Sequence, residues 1–168
     1  MEGEIIIRPF AKGDPIPEIT ALLHRSYAQL ARMGLRYLAT HQDDVVTVQR
    51  LTDGTSFLAL HEGRIIGTIS CYDSEHTSGS PFLDRDGVGL IGQFGVEPSM
   101  QRRGIGRQLL DRAEAHAREI GLEEVALDTA ESARHLIDWY FRLGYRFVEF
   151  VSWDVTNYRS VVLGKKLR

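Results

Sequence analysis

The chain has 168 residues, enough for one domain with a single core, and its 43% hydrophobic and 26% charged content is ordinary for a soluble globular protein. With 20 basic and 23 acidic side chains the net charge is −3, which argues against nucleic acid or an anionic membrane as a partner held by bulk electrostatics. No run approaches the roughly 18 apolar residues of a membrane span, and the single cysteine, Cys71, excludes an intrachain disulfide and a Cys-rich zinc site. The opening Met-Glu-Gly-Glu-Ile-Ile-Ile has no basic run, so no signal peptide is expected and the expected compartment is the cytoplasm.

Glu4–Pro9 carries Ile5, Ile6 and Ile7, a β-branched run ended by proline, and predicts a strand. Asp14-Pro15-Ile16-Pro17 predicts a helix start, because proline suits the first helical turn. Ile19, Leu22, Leu23, Tyr27 and Leu30 recur at helical spacing as far as Met33-Gly34. Asp43–Leu51 predicts a second helix, broken by Asp53-Gly54. Ser56–His61 and Arg64–Tyr72 predict two strands joined by Glu62-Gly63. Residues 74–87, rich in Ser, Gly, Asp and His, predict a mobile loop inserted between strands. Val88–Val96 predicts a strand stopped by Pro98.

Ile105, Leu109, Leu110, Ala113, Ala117 and Ile120 mark an amphipathic helix with Gly121 as its C-cap. Glu124–Thr129 follows as a strand. Ser132 is the expected N-cap of a helix whose Ala133, Leu136, Ile137 and Tyr140 share a face, closed by Gly144. Tyr145–Val151 and Ser160–Leu167 are the last strands. The order β-α-α-β-β-β-α-β-α-β-β predicts an α/β chain of α+β type: a mixed, mostly antiparallel sheet of about seven strands with helices on both faces.

The charge is uneven: residues 1–96 carry net −4 and residues 97–168 net +1. Arg102, Arg103 and Arg107 fall together in Gly95-Val96-Glu97-Pro98-Ser99-Met100-Gln101-Arg102-Arg103-Gly104-Ile105-Gly106-Arg107, where a strand ends, a loop follows and a helix begins. The first backbone N–H groups of a helix lack partners, and the helix dipole adds positive potential there. Together they suit an anion such as phosphate. Gly104 and Gly106 allow close approach to the backbone, and the three arginines add charge. The plain alternative is an Arg-decorated turn. A Walker A loop is excluded because no Gly-Lys-Ser/Thr follows, and the third glycine of a dinucleotide fingerprint is missing.

Gln101-Arg102-Arg103-Gly104-Ile105-Gly106 resembles the Gln/Arg-x-x-Gly-x-Gly/Ala signature of the GNAT superfamily of N-acetyltransferases. Val96 and Pro98 fit the Val-x-Pro that commonly precedes it, and Trp139-Tyr140-Phe141-Arg142-Leu143-Gly144-Tyr145 is similar to that family's Leu-Tyr-x-x-x-Gly-Phe segment. The resemblance is good over 88–151 and looser over 1–73. It implies one N-acetyltransferase domain over 1–168, acetyl-CoA as donor, a primary amine of a small molecule or a protein as acceptor, and no metal. It also implies a central parallel pair, Val88–Val96 and Glu124–Thr129, that splays apart.

On that resemblance Phe94, Gly95 and Val96 pair with the pantetheine arm as an added strand would. Gln101, Arg102, Arg103, Gly104, Ile105, Gly106 and Arg107 belong to the loop that holds the pyrophosphate. The Val96 N–H polarises the thioester carbonyl, and Tyr140 is the general acid. Two positions depart from the pattern. Ala133 stands where many members have Asn, so that polar contact is either absent or supplied by Ser132 or Thr129, and Leu90 stands where many have a Glu base.

The base is left open between Asp128, Glu131 and water, with Gln93 able only to orient a water. Without the motif Tyr140 reads as a packing residue, and Asp128 and Glu131 as solvated carboxylates. The six histidines form no metal spacing and read as structural, His135 being nearest the site; Cys71 reads as a core residue. Tyr27, Arg36, Tyr37 and Gln42 are candidates to line the acceptor site, Arg36 by holding a carboxylate. The basic C-terminal strand is expected at a sheet edge, protected by charge or paired in a homodimer. Two other functions stay open: a non-catalytic acyl-CoA sensor and a nucleotide-phosphate-binding domain.

Overall fold

In the computed structural model, which describes residues 3–168, seven strands form one sheet in the order β1-β2-β3-β4-β5-β7-β6. These are β1 (Ile5–Pro9), β2 (Thr55–His61), β3 (Arg64–Tyr72), β4 (Val88–Val96), β5 (Glu124–Ala130), β6 (Arg146–Ser152) and β7 (Arg159–Lys166). The helices are α1 (Ile16–Ser26), α2 (Ala28–Arg32), α3 (Asp44–Asp53), α4 (Ile105–Glu119) and α5 (Arg134–Arg142). Every neighbouring pair is antiparallel except β4 and β5. That parallel pair is in register only over Val88–Leu90 against Glu124–Ala126 and then separates. The mixed sheet with one splayed parallel pair is the arrangement expected from the sequence.

The alternation along each strand sorts side chains between two layers. On one face Leu109, Leu110, Ala113 and Ala117 of α4 and Ile137 of α5 pack with Ile69, Ile91, Val125 and Leu163. On the other, Ile19 and Leu23 of α1 and Leu51 of α3 pack with Leu58. Asp43 caps α3, its carboxylate accepting from the Val46 amide at 2.9 Å.

Four features differ from the sequence-based reading. The first helix breaks at Tyr27, whose ψ of 2° lies outside the helical range, so α1 and α2 are separate. The Tyr27 hydroxyl donates to the Phe94 carbonyl (2.9 Å), a tertiary bond that helical periodicity cannot foretell. The N-cap of α5 is Ala133, with no side-chain cap, rather than Ser132. The segment 74–87 is anchored rather than loose: Phe82 and Leu83 are buried with Val88, Ala126 and Val162. The C-terminal strand lies between β5 and β6, so the sheet edge is β6, which carries the exposed Phe147 and Phe150.

β4 also carries a bulge. Thr68 faces Gly95 and Ser70 faces Gly92, so Gln93 and Phe94 together oppose Ile69. Gln93 takes a left-handed φ of 48°. The extra residue sends Gln93 toward α3 and Phe94 toward the α4–α5 layer, where its ring lies 6.1 Å from that of Trp139.

Candidate active site

The site forms where β4 and β5 part. Glu97 N donates to Ile66 O of β3 (2.8 Å). Alternation along the strand therefore turns the Val96 amide the other way, toward the gap on the β5 side. The carbonyls of Phe94 and Val96 share that direction and accept from the Tyr27 hydroxyl (2.9 Å) and Gln101 Nε2 (3.2 Å). Gly95 lies against α1, where an added Cβ would collide with Ser26 Oγ. Arg25 fixes the same contact, pairing with Glu97 at 2.6 Å.

Beyond β4 the chain turns through Arg102 (φ 66°) and Gly104 (φ 79°) into α4. Gly104 O accepts from Gln108 N (3.1 Å). The amides of Gly104, Ile105, Gly106 and Arg107 have no backbone acceptor among the described residues, as the first turn of a helix requires. Such a row of N–H groups, made by alternating hand in the backbone, is an anion-binding concavity. Ile105 is buried and anchors the turn, while Arg102, Arg103 and Arg107 stand exposed around it. The donor set of backbone amides and arginines fits a pyrophosphate, and the amide edge of β4 fits an extended pantetheine arm.

α5 brings Tyr140 to the back of the gap. Its ring packs edge-on to Trp139 and Tyr145, with centroids 5.1 and 5.6 Å away. The residue is 9% exposed, yet its hydroxyl makes no hydrogen bond among the described residues. Burial, reinforced by Tyr27, Tyr37 and Asp128, pushes the phenol far above its usual range, so it is protonated at neutral pH. Tyr37 and Tyr158 continue the aromatic wall, 4.8 Å between ring centroids. The Tyr37 hydroxyl meets Thr129 Oγ1 (2.6 Å) and accepts from the Ala130 amide (2.9 Å).

The two candidate bases have opposite settings. Asp128 accepts from Trp153 Nε1 (2.8 Å), and burial raises its pKa against the opposing pull of that bond and of Arg50. Glu131 is exposed and bonded to Arg159 (2.7 Å), which lowers its pKa. Gln42 is buried, donating to Thr47 Oγ1 (2.8 Å) and accepting from Arg50 Nη1 (2.9 Å). Arg36 stays exposed, its Nε 3.5 Å from His41 Nδ1, and His135 is exposed on α5. Ala133 is buried in a small cluster with Leu30 and Ala130. Cys71 is buried, and its thiol is pushed up to about 12.

Sequence reasoning missed Arg50, which on α3 reads as one more polar helix residue. No cluster of His, Cys, Asp and Glu able to hold a metal occurs among the described residues. Two surface depressions of about 380 and 390 Å³ lie elsewhere, one beside Cys71 and His116 and the other beside Arg85 and Lys166. They collect none of the groups that converge at the splay.

Residues 17–145 match the acetyltransferase (GNAT) family. The chain is 29% identical over 130 residues to S-(2-succino)cysteine N-acetyltransferase of Bacillus subtilis, covering 76% of each. It is 34% identical over 93 residues to aminoalkylphosphonate N-acetyltransferase of Salmonella typhimurium, covering 55% of this chain and 57% of the relative. The fold is shared with a GNAT family acetyltransferase from Elizabethkingia anophelis solved with acetyl-CoA bound: TM-score 0.68 at 22% identity, over 96% of this chain and 97% of that one. The chain belongs to the GNAT family and is an acetyl-CoA-dependent acyltransferase that acetylates an amine.

Proposed function

We propose that this chain is a single-domain N-acetyltransferase acting on a small-molecule amine, with Tyr140 as general acid and the Val96 amide as the carbonyl's hydrogen-bond donor. One observation carries the reading: a buried, protonated phenol with no protein partner lies behind the gap between β4 and β5. Its oxygen is not sealed within the protein, unlike the unpartnered Thr68 Oγ1 and Ser160 Oγ, so it is free to meet a ligand in the gap.

When bound, acetyl-CoA supplies the acetyl group as a thioester and leaves as the thiol. The residues of this chain divide the remaining work. The amides of Gly104 to Arg107, with Arg102, Arg103 and Arg107, hold the pyrophosphate, and Gln101 braces the loop on the Val96 carbonyl. Phe94, Gly95 and Val96 offer a strand edge to pantetheine. The Val96 N–H would donate to the thioester carbonyl oxygen as charge develops there. An amine with a pKa of about 10.4 is almost wholly protonated at pH 7 and must lose a proton before attack. Asp128, made more basic by burial, is our candidate to take it, directly or through water. Tyr140 gives its proton to the departing sulfur.

The family's frequent Glu on β4 is replaced by Leu90, and Asp128 on β5 supplies a carboxylate at the same gap. Two of the relatives are named for small amines, and they support a small acceptor. The buried lone cysteine and the net charge of −3 favour a cytoplasmic enzyme with no nucleic-acid or membrane partner. The test is Tyr140→Phe, scored by CoA-thiol release over a panel of amino acids, peptides, polyamines and aminoglycosides. Acetyl-CoA binding should hold while turnover falls by about 10²–10⁴-fold. A wild type that binds acetyl-CoA but releases no thiol with any amine favours the sensor reading.

A further inference from the structure

Arg50 is half-buried at the open end of the sheet and has no carboxylate partner. Its Nη1 donates to Gln42 Oε1 (2.9 Å). With the Gln93 amide oriented so that its oxygen faces the guanidinium, that oxygen lies 2.8 Å from Arg50 Nε, 2.5 Å from Nη1 and 3.2 Å from Nη2. The backbone of Arg50 is fixed as well, its carbonyl accepting from the Tyr72 hydroxyl (2.7 Å). Among the described residues no Asp or Glu forms an ion pair with it. A guanidinium taken partly out of water is ordinarily compensated by an anion. Two neutral amide oxygens neither balance its charge nor use all five of its N–H donors.

Its location is specific. A Cβ on Gly92 would stand 3.9 Å from Arg50 Nη2, so the guanidinium lies over Gly92. Leu90 and Ala126 are register partners, the last before the strands part. Two residues further along each strand, Gly92 and Asp128 project to the same face. Arg50 and Asp128 therefore flank the gap on one side of the sheet, while Tyr140 approaches from the helix α5 side. The charge of Arg50 is felt at Asp128, yet the two do not pair. The bulge makes this possible: it turns Gln93 toward α3, where it holds Arg50, and Gly92 leaves the strand bare beneath the guanidinium.

We propose that Arg50 is the anion-binding residue of the acceptor site, and that the acceptor is an amine bearing a carboxylate, an amino acid or a close derivative. Arg50 takes the carboxylate while the amine lies toward Asp128 and the acetyl group. The inference rests on the N-acetyltransferase reading for the placement of the acceptor, and it moves the carboxylate-binding role from the exposed Arg36 to Arg50. Arg fits this task through its planar fork of donors, which matches a carboxylate bidentately.

The experiment uses the full chain saturated with CoA. A panel of α-amino acids with apolar, polar and acidic side chains is titrated beside the matched carboxamides, with binding read by calorimetry. The same panel is scored with acetyl-CoA for thiol release. The variants are Arg50→Met and Arg50→Lys, each checked by thermal unfolding. Wild type should prefer at least one acid to its amide by about tenfold or more. Arg50→Met should lose about 10- to 100-fold for the acid and less than about threefold for the amide, the range expected for a hydrogen bond to a charged group. Arg50→Lys should recover part of the preference, and it carries the test if Arg50→Met does not fold. Equal binding of acid and amide by wild type overturns the proposal, as do equal losses for both in Arg50→Met, or no binding by any acid. A carboxylate preference that depends on Arg50 without thiol release from any pair upholds the site and overturns the acetyltransferase assignment instead.

Discussion

Two tyrosines stand side by side in the core, with ring centroids 5.6 Å apart, and among the described residues only one of them has its hydroxyl bonded within the protein. Tyr145 is 4% exposed and its hydroxyl donates to Glu114 Oε2 at 2.9 Å, while Lys165 Nζ bonds the other oxygen at 2.8 Å. Tyr145→Phe removes a buried donor from a charged acceptor, which costs about 1.5–3 kcal/mol. For a domain of this size that is a fall in Tm of about 3–12 °C, at about 2–4 °C per kcal/mol. Tyr140→Phe removes a hydroxyl that bonds nothing in the protein, so stability should stay within about 0.5 kcal/mol. Its thiol-release rate should fall about 10²–10⁴-fold, a barrier increase of about 2.7–5.4 kcal/mol. Tyr145→Phe should keep its turnover per folded molecule. Calorimetric unfolding at pH 7 and thiol release at saturating acetyl-CoA read the two effects separately. If Tyr140→Phe loses as much stability as Tyr145→Phe and keeps its turnover, Tyr140 is a packing residue and the catalytic reading is wrong.

Gly95→Ala should cost about 1–3 kcal/mol by overpacking, because its Cβ meets Ser26 Oγ. Ser26→Gly should restore much of that loss in the double variant, and a double-mutant cycle by chemical denaturation checks the coupling. Gly104→Ala meets no atom within 4 Å but needs a φ of 79°, so it should lose about 1 kcal/mol from backbone strain alone and weaken acetyl-CoA affinity in a calorimetric titration. Asp128→Asn keeps an acceptor for Trp153 and removes a carboxylate whose pKa is raised in the folded state. An acid with a raised folded pKa loses stability as pH climbs from its unfolded value, 3.8, through the folded one. The Asn variant should therefore be more stable than wild type at pH 7, level with it below pH 3.8, and poor in thiol release. Denaturation at both pH values decides the point.

The sheet and helices were legible because their signals are local. The Ile5-Ile6-Ile7 run, the period of Leu109, Leu110, Ala113 and Ala117, and the Gly-Ile-Gly turn each specify an element without reference to anything distant. The candidate site residues also lie on local motifs: the Arg102–Arg107 turn opens α4, and Tyr140 lies on α5. What escaped is tertiary. The break at Tyr27 answers to the Phe94 carbonyl 67 residues away. The edge position of β6 depends on β7 inserting beside β5, which neither strand's composition records. Arg50 is informative only because Gln42 and Gln93, 51 positions apart, meet around it. Such a pairing has no period in the sequence.

The brief register of β4 with β5 has a mechanical consequence. Strands β1–β4 form one ribbon and β5, β7 and β6 another, and their ladder of backbone bonds spans only Val88–Leu90 and Glu124–Ala126. This is the zip line along which the sheet opens first. Amide exchange should spread outward from Leu90 and Ala126 before it reaches the seven-residue registers of β2 with β3 or β5 with β7. A donor molecule lodged in the fork acts as a clasp on both ribbons. Its protection should therefore be read across the whole sheet rather than at the loop that grips its phosphates.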